Sequence, residues 1–168
     1  MGRCLLVANQ TLGGDALDRS VRDCISRGVD DFYVVVPTTK VKDELATWTG
    51  GFGVYEGISP DQIHTLSEDA ERDHEAALAE ARRRAKERLD RMIAKIQAAG
   101  GHAEGVVGAD DPSEATRAVL ARQGGFDEII VSTLPAGLSR WVRMDVPHRI
   151  ARLTDVPVTT VEAEAEPE

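Results

Sequence analysis

Short apolar runs alternate with amphipathic stretches along most of the chain, and this alternation predicts the fold class. Residues 3–8, 32–36, 102–107, 127–132 and 156–161 are compact apolar runs typical of buried strands. Between them, apolar residues recur with helical spacing over residues 15–28, 67–99, 111–123 and 145–153. Because each strand is followed by a helix, we predict an α/β protein, a five-stranded parallel sheet with helices on both faces.

Local signals support the predicted boundaries. Asp111 has the residue type of a helix N-cap, Pro112 suits the first helical position, and Glu114 is placed to reach back to the cap. Asp145 or Val146 should begin the last helix in the same way. The third strand is the weakest prediction, because Glu104 and Gly105 interrupt its apolar pattern.

Two segments depart from this alternation. Residues 38–66 are rich in glycine and lack periodicity, which predicts an inserted loop or lid. Residues 162–168 read EAEAEPE, with four glutamates, and are predicted to be a disordered acidic tail. The remainder, residues 1–161, is the length of one ordinary domain.

Composition excludes several partners. The net charge of −9 and an aromatic content of 4% argue against nucleic-acid binding. No apolar run approaches the roughly 20 residues that span a bilayer, and the N-terminal run is too short for a signal peptide, so we expect a cytoplasmic protein without membrane contact. Cys4 and Cys24 are too few and too far apart in sequence for a metal knuckle or a CxxC pair, which predicts two reduced, buried thiols and no metal site.

The loop after the first predicted strand is one candidate ligand contact. In open parallel sheets, ligands bind beyond the carboxyl ends of the strands, where the strand order reverses, commonly next to the first strand. There NQTLGGD offers backbone N–H groups and a helix N-terminus to an anion. Its candidate residues are Asn9, Gln10, Thr11 and Gly13. The alternative is a glycine turn that only begins the helix.

The loop after the fourth strand, STLPAGLSRWVRMD, is the second candidate. Residues 132–153 carry four arginines and one aspartate, a net +3 within an acidic protein. The candidate residues are Ser132, Thr133, Ser139, Arg140 and Arg143, whose guanidinium and hydroxyl groups suit a phosphate or carboxylate. Trp141 could stack on a base. Alternatively, Trp141 and the arginines pack within the protein or contact a partner.

Motifs for catalysis are missing from the sequence. There is no P-loop, no GxSxG elbow around the hydroxyls and no HExxH, and the four histidines lack ligand spacing. No acid, base or nucleophile is therefore assigned, and an enzyme is the least favoured hypothesis.

Two strings taken together resemble the universal stress protein family. VANQTLG at residues 7–13 and STLP…SRW…D…P…R at residues 132–149 look like a divergent, actinobacterial-type branch. The resemblance implies a Rossmann-like fold, a homodimer formed through the last strand, and a role in stress signalling. Since some members bind ATP or AMP, it also implies a nucleotide or another anionic metabolite as ligand.

The usual ATP-binding glycine motif of that family is missing here. Its four positions fall on Ser132, Pro135, Asp145 and Val146, none of which matches, and Asn9 stands where the family has an aspartate. Pro135 has no N–H to donate, and Asp145 would repel a triphosphate. Two hypotheses stay open: arginines replace the glycine cradle, or the fold serves as a protein–protein interaction module that binds no nucleotide.

Overall fold

The predicted parallel α/β architecture is confirmed. The computed structural model describes residues 2–8, 15–38, 60–109, 111–133 and 145–162, with side chains in the long helix from residue 72. Within these ranges, nine elements follow one another: β1 (Gly2–Val7), α1 (Asp15–Ser26), β2 (Val29–Pro37), α2 (Pro60–Ala98), β3 (His102–Gly108), α3 (Pro112–Arg122), β4 (Glu128–Thr133), α4 (Val146–Ala151) and β5 (Val158–Glu162). The strands are parallel in the order β3-β2-β1-β4-β5, so the order reverses next to β1.

The chain forms two compact units. One comprises Met1–Thr38 and Ala85–Glu168 and contains all five strands, and the other is Thr39–Arg84. Helix α2 begins at Pro60, so the predicted loop over residues 38–66 is wrong at its end. The lack of apolar periodicity there concealed the helix, whereas proline, with its fixed φ and missing N–H, suits a first helical turn. Residues 39–59 of the predicted insertion lie outside the described ranges.

Alternate strand residues build a separate core on each face of the sheet. Even-numbered positions such as Cys4, Leu6 and Val34 pack beneath α1 and the Ala85–Ile96 part of α2. Odd-numbered positions such as Leu5 and Val131 pack beneath α3 and α4. Strands covered on both faces need apolar residues throughout, which explains the uninterrupted runs in the sequence.

The long helix buries only part of its predicted stripe. Ala85, Leu89, Met92 and Ile96 are buried, while Ala77, Leu78 and Ala81 are half-buried. The exposed positions of α2 are largely charged, and no helix in the described part of the chain is long and apolar enough to cross a membrane.

Gly105, which seemed to weaken the third strand, is required by close packing. A Cβ at this position would lie 2.4 Å from the Val34 carbonyl oxygen and 2.5 Å from Leu89 Cδ1. Glycine therefore lets α2 approach the junction of β2 and β3.

Other boundaries differ from the prediction by a few residues. β2 begins at Val29 rather than at residue 32. Two acidic residues at 30–31 hid this start in the sequence, and the fold pairs one of them with an arginine. Gly2 pairs with Val29, and Arg3 Nε lies 3.1 Å from Asp31 Oδ2. Helix α4 ends at Ala151, before the predicted residue 153, and β5 begins at Val158 rather than residue 156.

Candidate functional site

The two central strands separate at their carboxyl ends. The ladder between β1 and β4 ends with the pair Val7–Val131. Beyond it, the Ala8 amide donates to the Val35 carbonyl oxygen of β2 at 3.2 Å. On the other side, Ser132 and Thr133 continue the pairing of β4 with β5. The strands thus turn to opposite neighbours where the strand order reverses, which is the place at which open parallel sheets form a ligand crevice.

Ser132 and Thr133, two predicted site residues, lie at this crevice and are buried, with 1% and 2% of their surfaces exposed. Their neighbours show which faces they occupy. Ile130 packs in the core beneath α1 and α2, whereas Val131 packs in the core beneath α3 and α4. By strand alternation, Ser132 belongs to the first face and Thr133 to the second. The end of β4 thus carries a hydroxyl group toward each face.

Two buried hydroxyl groups on the α3 and α4 side lack hydrogen-bond partners among the described residues. They are Thr133 Oγ1 and Ser113 Oγ, the latter in the first turn of α3. Leaving a buried hydroxyl unpaired costs about 1–3 kcal/mol. Such a group is one that a polar ligand could satisfy. Ser113 was not predicted as a site residue, because its position in a strong helix start explained it without a ligand.

The start of α3 confirms the predicted cap and changes one detail. Asp111 Oδ1 accepts hydrogen bonds from the backbone N–H groups of Ser113 (2.8 Å) and Glu114 (3.3 Å). Glu114 does not reach back to the cap, and its carboxylate lies 3.4 Å from Arg117 Nη1 instead. Asp111 Oδ2 lies 3.5 Å from Arg149 Nη2, so this cap also neutralises one arginine of the cationic segment.

Asp145 occupies the predicted cap position of α4 but does not cap it with its side chain. Its backbone is left-handed, with φ of 55°, and its carboxylate accepts no hydrogen bond from a backbone N–H of the helix. Instead, Asp145 Oδ1 lies 2.5 Å from Nδ1 of His148, in the first turn of α4 as expected. Both side chains are exposed. A carboxylate therefore stands at the start of α4.

Most of the predicted ligand contacts cannot be placed. The residues outside the described ranges are Asn9, Gln10, Thr11, Gly13, Ser139, Arg140 and Arg143, together with Trp141. The two segments that carry them follow β1 and β4, which are neighbours in the sheet. Their convergence on one ligand stays a prediction.

Solved structures provide the comparison that decides the fold. A universal stress protein from Archaeoglobus fulgidus matches with a TM-score of 0.52 and 14% identity. The match covers 96% of this chain and 94% of that one. The chain has the universal stress protein fold. The same archaeal protein in complex with dAMP matches with a TM-score of 0.50 and 14% identity, over 96% of this chain and 98% of that one. A universal stress protein in complex with cAMP matches with a TM-score of 0.50 and 17% identity, and the match covers 95% of this chain and 97% of that one.

No family model and no curated protein sequence matches the chain. The universal stress protein fold is therefore established by shape, at an identity that carries over no residue roles. What the crevice binds has to be argued from the residues of this chain.

Proposed function

We propose that this protein is a universal-stress-protein-type receptor for an anionic small molecule, with adenine mononucleotides as the first candidates. The ligand enters the crevice between the carboxyl ends of β1 and β4, and its binding serves stress response or signalling. The observation that carries the proposal is the Thr133 hydroxyl, buried at this crevice without a partner among the described residues. A ligand oxygen or nitrogen would satisfy it.

The structural neighbours support a nucleotide with one phosphate. Two proteins of this fold have dAMP or cAMP bound. In this chain, Asp145 stands at the start of α4, in a position where the resemblance places a glycine of ATP-binding members. A carboxylate there repels the charge of a triphosphate more than that of a monophosphate. We therefore expect AMP or cAMP to bind more tightly than ATP.

The proposed contacts come from both loops. Ser132 and Thr133 provide hydroxyl groups, and Arg140 and Arg143 provide guanidinium forks that can bind a phosphate with two parallel hydrogen bonds. Asn9, Gln10, Thr11 and Gly13, which follow β1 in the sequence, are the further proposed contacts. In this arrangement, arginines take over the role of the missing glycine cradle.

Calorimetric titration with AMP, cAMP and ATP tests the proposal. Replacing Thr133 with valine keeps the side-chain shape and removes the hydroxyl, so we expect AMP affinity to fall roughly tenfold, the value of one hydrogen bond. The matched control is Thr116→Val, a buried threonine whose Oγ1 already donates to the Pro112 carbonyl oxygen at 2.7 Å. That variant should bind AMP like the parent.

Two results would count against the proposal. One is that no mononucleotide binds or stabilises the protein. The other is that an Arg140→Ala/Arg143→Ala double variant and Thr133→Val both bind AMP unchanged. Either result would favour the interaction module, in which Arg140, Trp141 and Arg143 contact a protein partner.

We also propose that the protein is a homodimer joined through β5. Among the described residues, β5 pairs with β4 alone, and Thr159 and Thr160 are exposed on this edge strand. An open edge can accept another strand. Light scattering with size exclusion should give a dimer, and lysine at Thr160 should shift it toward monomer. Lysine at Ala118, exposed on α3, is the control for added charge. A monomeric parent protein would refute this assembly.

A further inference from the structure

Two cysteines and a glutamate meet at the amino end of the sheet, opposite the crevice. The thiol sulfurs of Cys4 and Cys24 and a carboxylate oxygen of Glu128 all lie within 4.8 Å of one another. The Cys24 thiol donates to Glu128 Oε1 at 3.0 Å. Separation in sequence suggested two unrelated thiols, and the fold corrects this expectation.

The backbone is responsible for this proximity. Cys4 and Glu128 are direct partners in the ladder between β1 and β4. The buried side of α1 then brings Cys24 over the same face, because α1 packs on β1. Both cysteines are almost fully buried, with 0% and 1% of their surfaces exposed, whereas the Glu128 side chain keeps 14% exposed. The cluster is therefore rigidly held and has one side near solvent.

A carboxylate stands directly beside the two thiols, so the cluster offers negative charge to a cation. Arg27 already supplies one charge: its Nη2 donates to Cys24 Sγ at 3.3 Å and to Glu128 Oε1 at 3.1 Å.

We propose that Cys4, Cys24 and Glu128 form a binding site for a thiophilic divalent cation of the Zn²⁺ type. Two sulfurs and a carboxylate oxygen are ligands that Zn²⁺ accepts, with water as the fourth. Zinc–ligand distances of about 2.0–2.3 Å place the ligand atoms of a tetrahedral site about 3.3–3.8 Å apart, so the cluster needs only small side-chain shifts.

Charge balance favours the same ion. Binding releases the two thiol protons to solvent, and two thiolates with one carboxylate then face a dication. Arg27 faces the single remaining negative charge as an outer-shell partner of both Cys24 and Glu128, and its Nε also pairs with Asp23 Oδ2 at 3.0 Å.

Cobalt titration of the reduced, chelator-treated full-length protein tests the site. Co²⁺ bound to thiolate gives an intense ultraviolet charge-transfer band, and the chain has only two cysteines, so the band reports on this cluster alone. We expect saturation at one Co²⁺ per chain, loss of the band on adding Zn²⁺, and no band in Cys24→Ser. In Glu128→Gln, Co²⁺ affinity should fall roughly tenfold or more. His148→Ala, which removes the exposed histidine–aspartate pair, should titrate like the parent.

A second measurement on the unaltered protein keeps the test decisive if Cys24→Ser fails to fold. Zn²⁺ should protect both thiols from a disulfide reagent and release about two protons per ion near neutral pH. The proposal is overturned if millimolar Co²⁺ produces no band in the reduced parent. It is also overturned if the two thiols react equally fast with and without Zn²⁺, or pair as a disulfide in air while the reduced form takes up no metal.

Discussion

The two ends of the sheet differ in how completely their polar side chains are paired. At the amino end, Cys24 of α1 and Arg27 just beyond it pair with Glu128 of β4, while Arg3 of β1 donates to the Gly124 carbonyl oxygen ahead of β4. At the carboxyl end, β1 and β4 separate, and a buried Thr133 hydroxyl is without a partner among the described residues. The first end holds the strands in register. The second leaves a buried hydroxyl group that a ligand could pair with, as expected of a binding site.

Arg3 shows how thoroughly the amino end is connected. Its Nη2 donates to Gln123 Oε1 at 2.5 Å and its Nη1 to the Gly124 carbonyl oxygen at 3.1 Å. Its guanidinium carbon lies 4.8 Å from the centre of the Phe126 ring. One side chain thus fixes the segment between α3 and β4 against β1.

The largest effect should follow from breaking that connection. Arg3→Ala loses two charge-assisted hydrogen bonds, the ion pair with Asp31 and the contact with the Phe126 ring, so we expect the free energy of unfolding to fall by about 2 kcal/mol, after allowing for partial exposure. Urea denaturation measures it. Arg3→Lys should recover less than half, because an ammonium group cannot bridge these acceptors. Arg122→Ala, at an exposed position at the end of α3, is the control. If its free energy of unfolding fell as much as that of Arg3→Ala, the effect would not be specific to the contacts of Arg3.

A smaller effect should appear as a pH dependence of stability at the amino end. The hydrogen bond with Cys24, burial, and the nearby charge of Cys24 and Glu128 raise the pKa of the Cys4 thiol far above its usual range. The folded protein therefore holds a proton that the unfolded chain releases above about pH 8.5. The stabilisation from this proton is complete below that pH and is lost as the pH rises, at up to about 1.4 kcal/mol per pH unit. Urea denaturation at pH 7.5, 8.5 and 9.5, with reductant and chelator, should show the decline. Cys4→Ala should flatten it, and an unchanged slope in that variant would contradict the assignment.

The smallest effect should come from Asp111, a carboxylate at the carboxyl end that both caps a helix and forms an ion pair. Asp111→Ala removes the cap of α3 and the ion pair with Arg149, so we expect a loss of about 1 kcal/mol. Asp111→Asn keeps the cap and should lose about half a kcal/mol or less. Thermal unfolding of both, beside Glu114→Ala as a surface control, separates the two contributions. If Asn were as harmful as Ala, the ion pair would matter more than the cap.

Local chemistry explains which predictions succeeded. Buried strands between two helical layers have to be apolar at every position, so five such runs were readable without coordinates. The cap at Asp111 also depends only on neighbouring residues. The loop prediction failed at Pro60, where a helix begins without an apolar stripe. The third strand was predicted correctly, but the reason for Gly105 was not, because it depends on Leu89 from a different element.

The candidate site also contains residues that could be predicted from the sequence and residues that could not. Ser132 and Thr133 could be chosen because parallel sheets bind ligands at the carboxyl ends of their strands. Ser113 could not, since its local sequence is fully explained by a helix start. The contacts proposed for Arg140 and Arg143 are still predictions from charge and position in the chain.

The sequence by itself determined the order of strands and helices, the burial of the central strands on both faces and the main helix cap, because these follow from residues close together in the chain. Only the tertiary structure decided that Cys4, Cys24 and Glu128 meet, and that Thr133 lies buried where β1 and β4 separate. Such contacts depend on which strands become neighbours and on how a helix lies across them. Hydrophobic periodicity reports the face on which a residue lies, and it carries no information about which residue lies opposite.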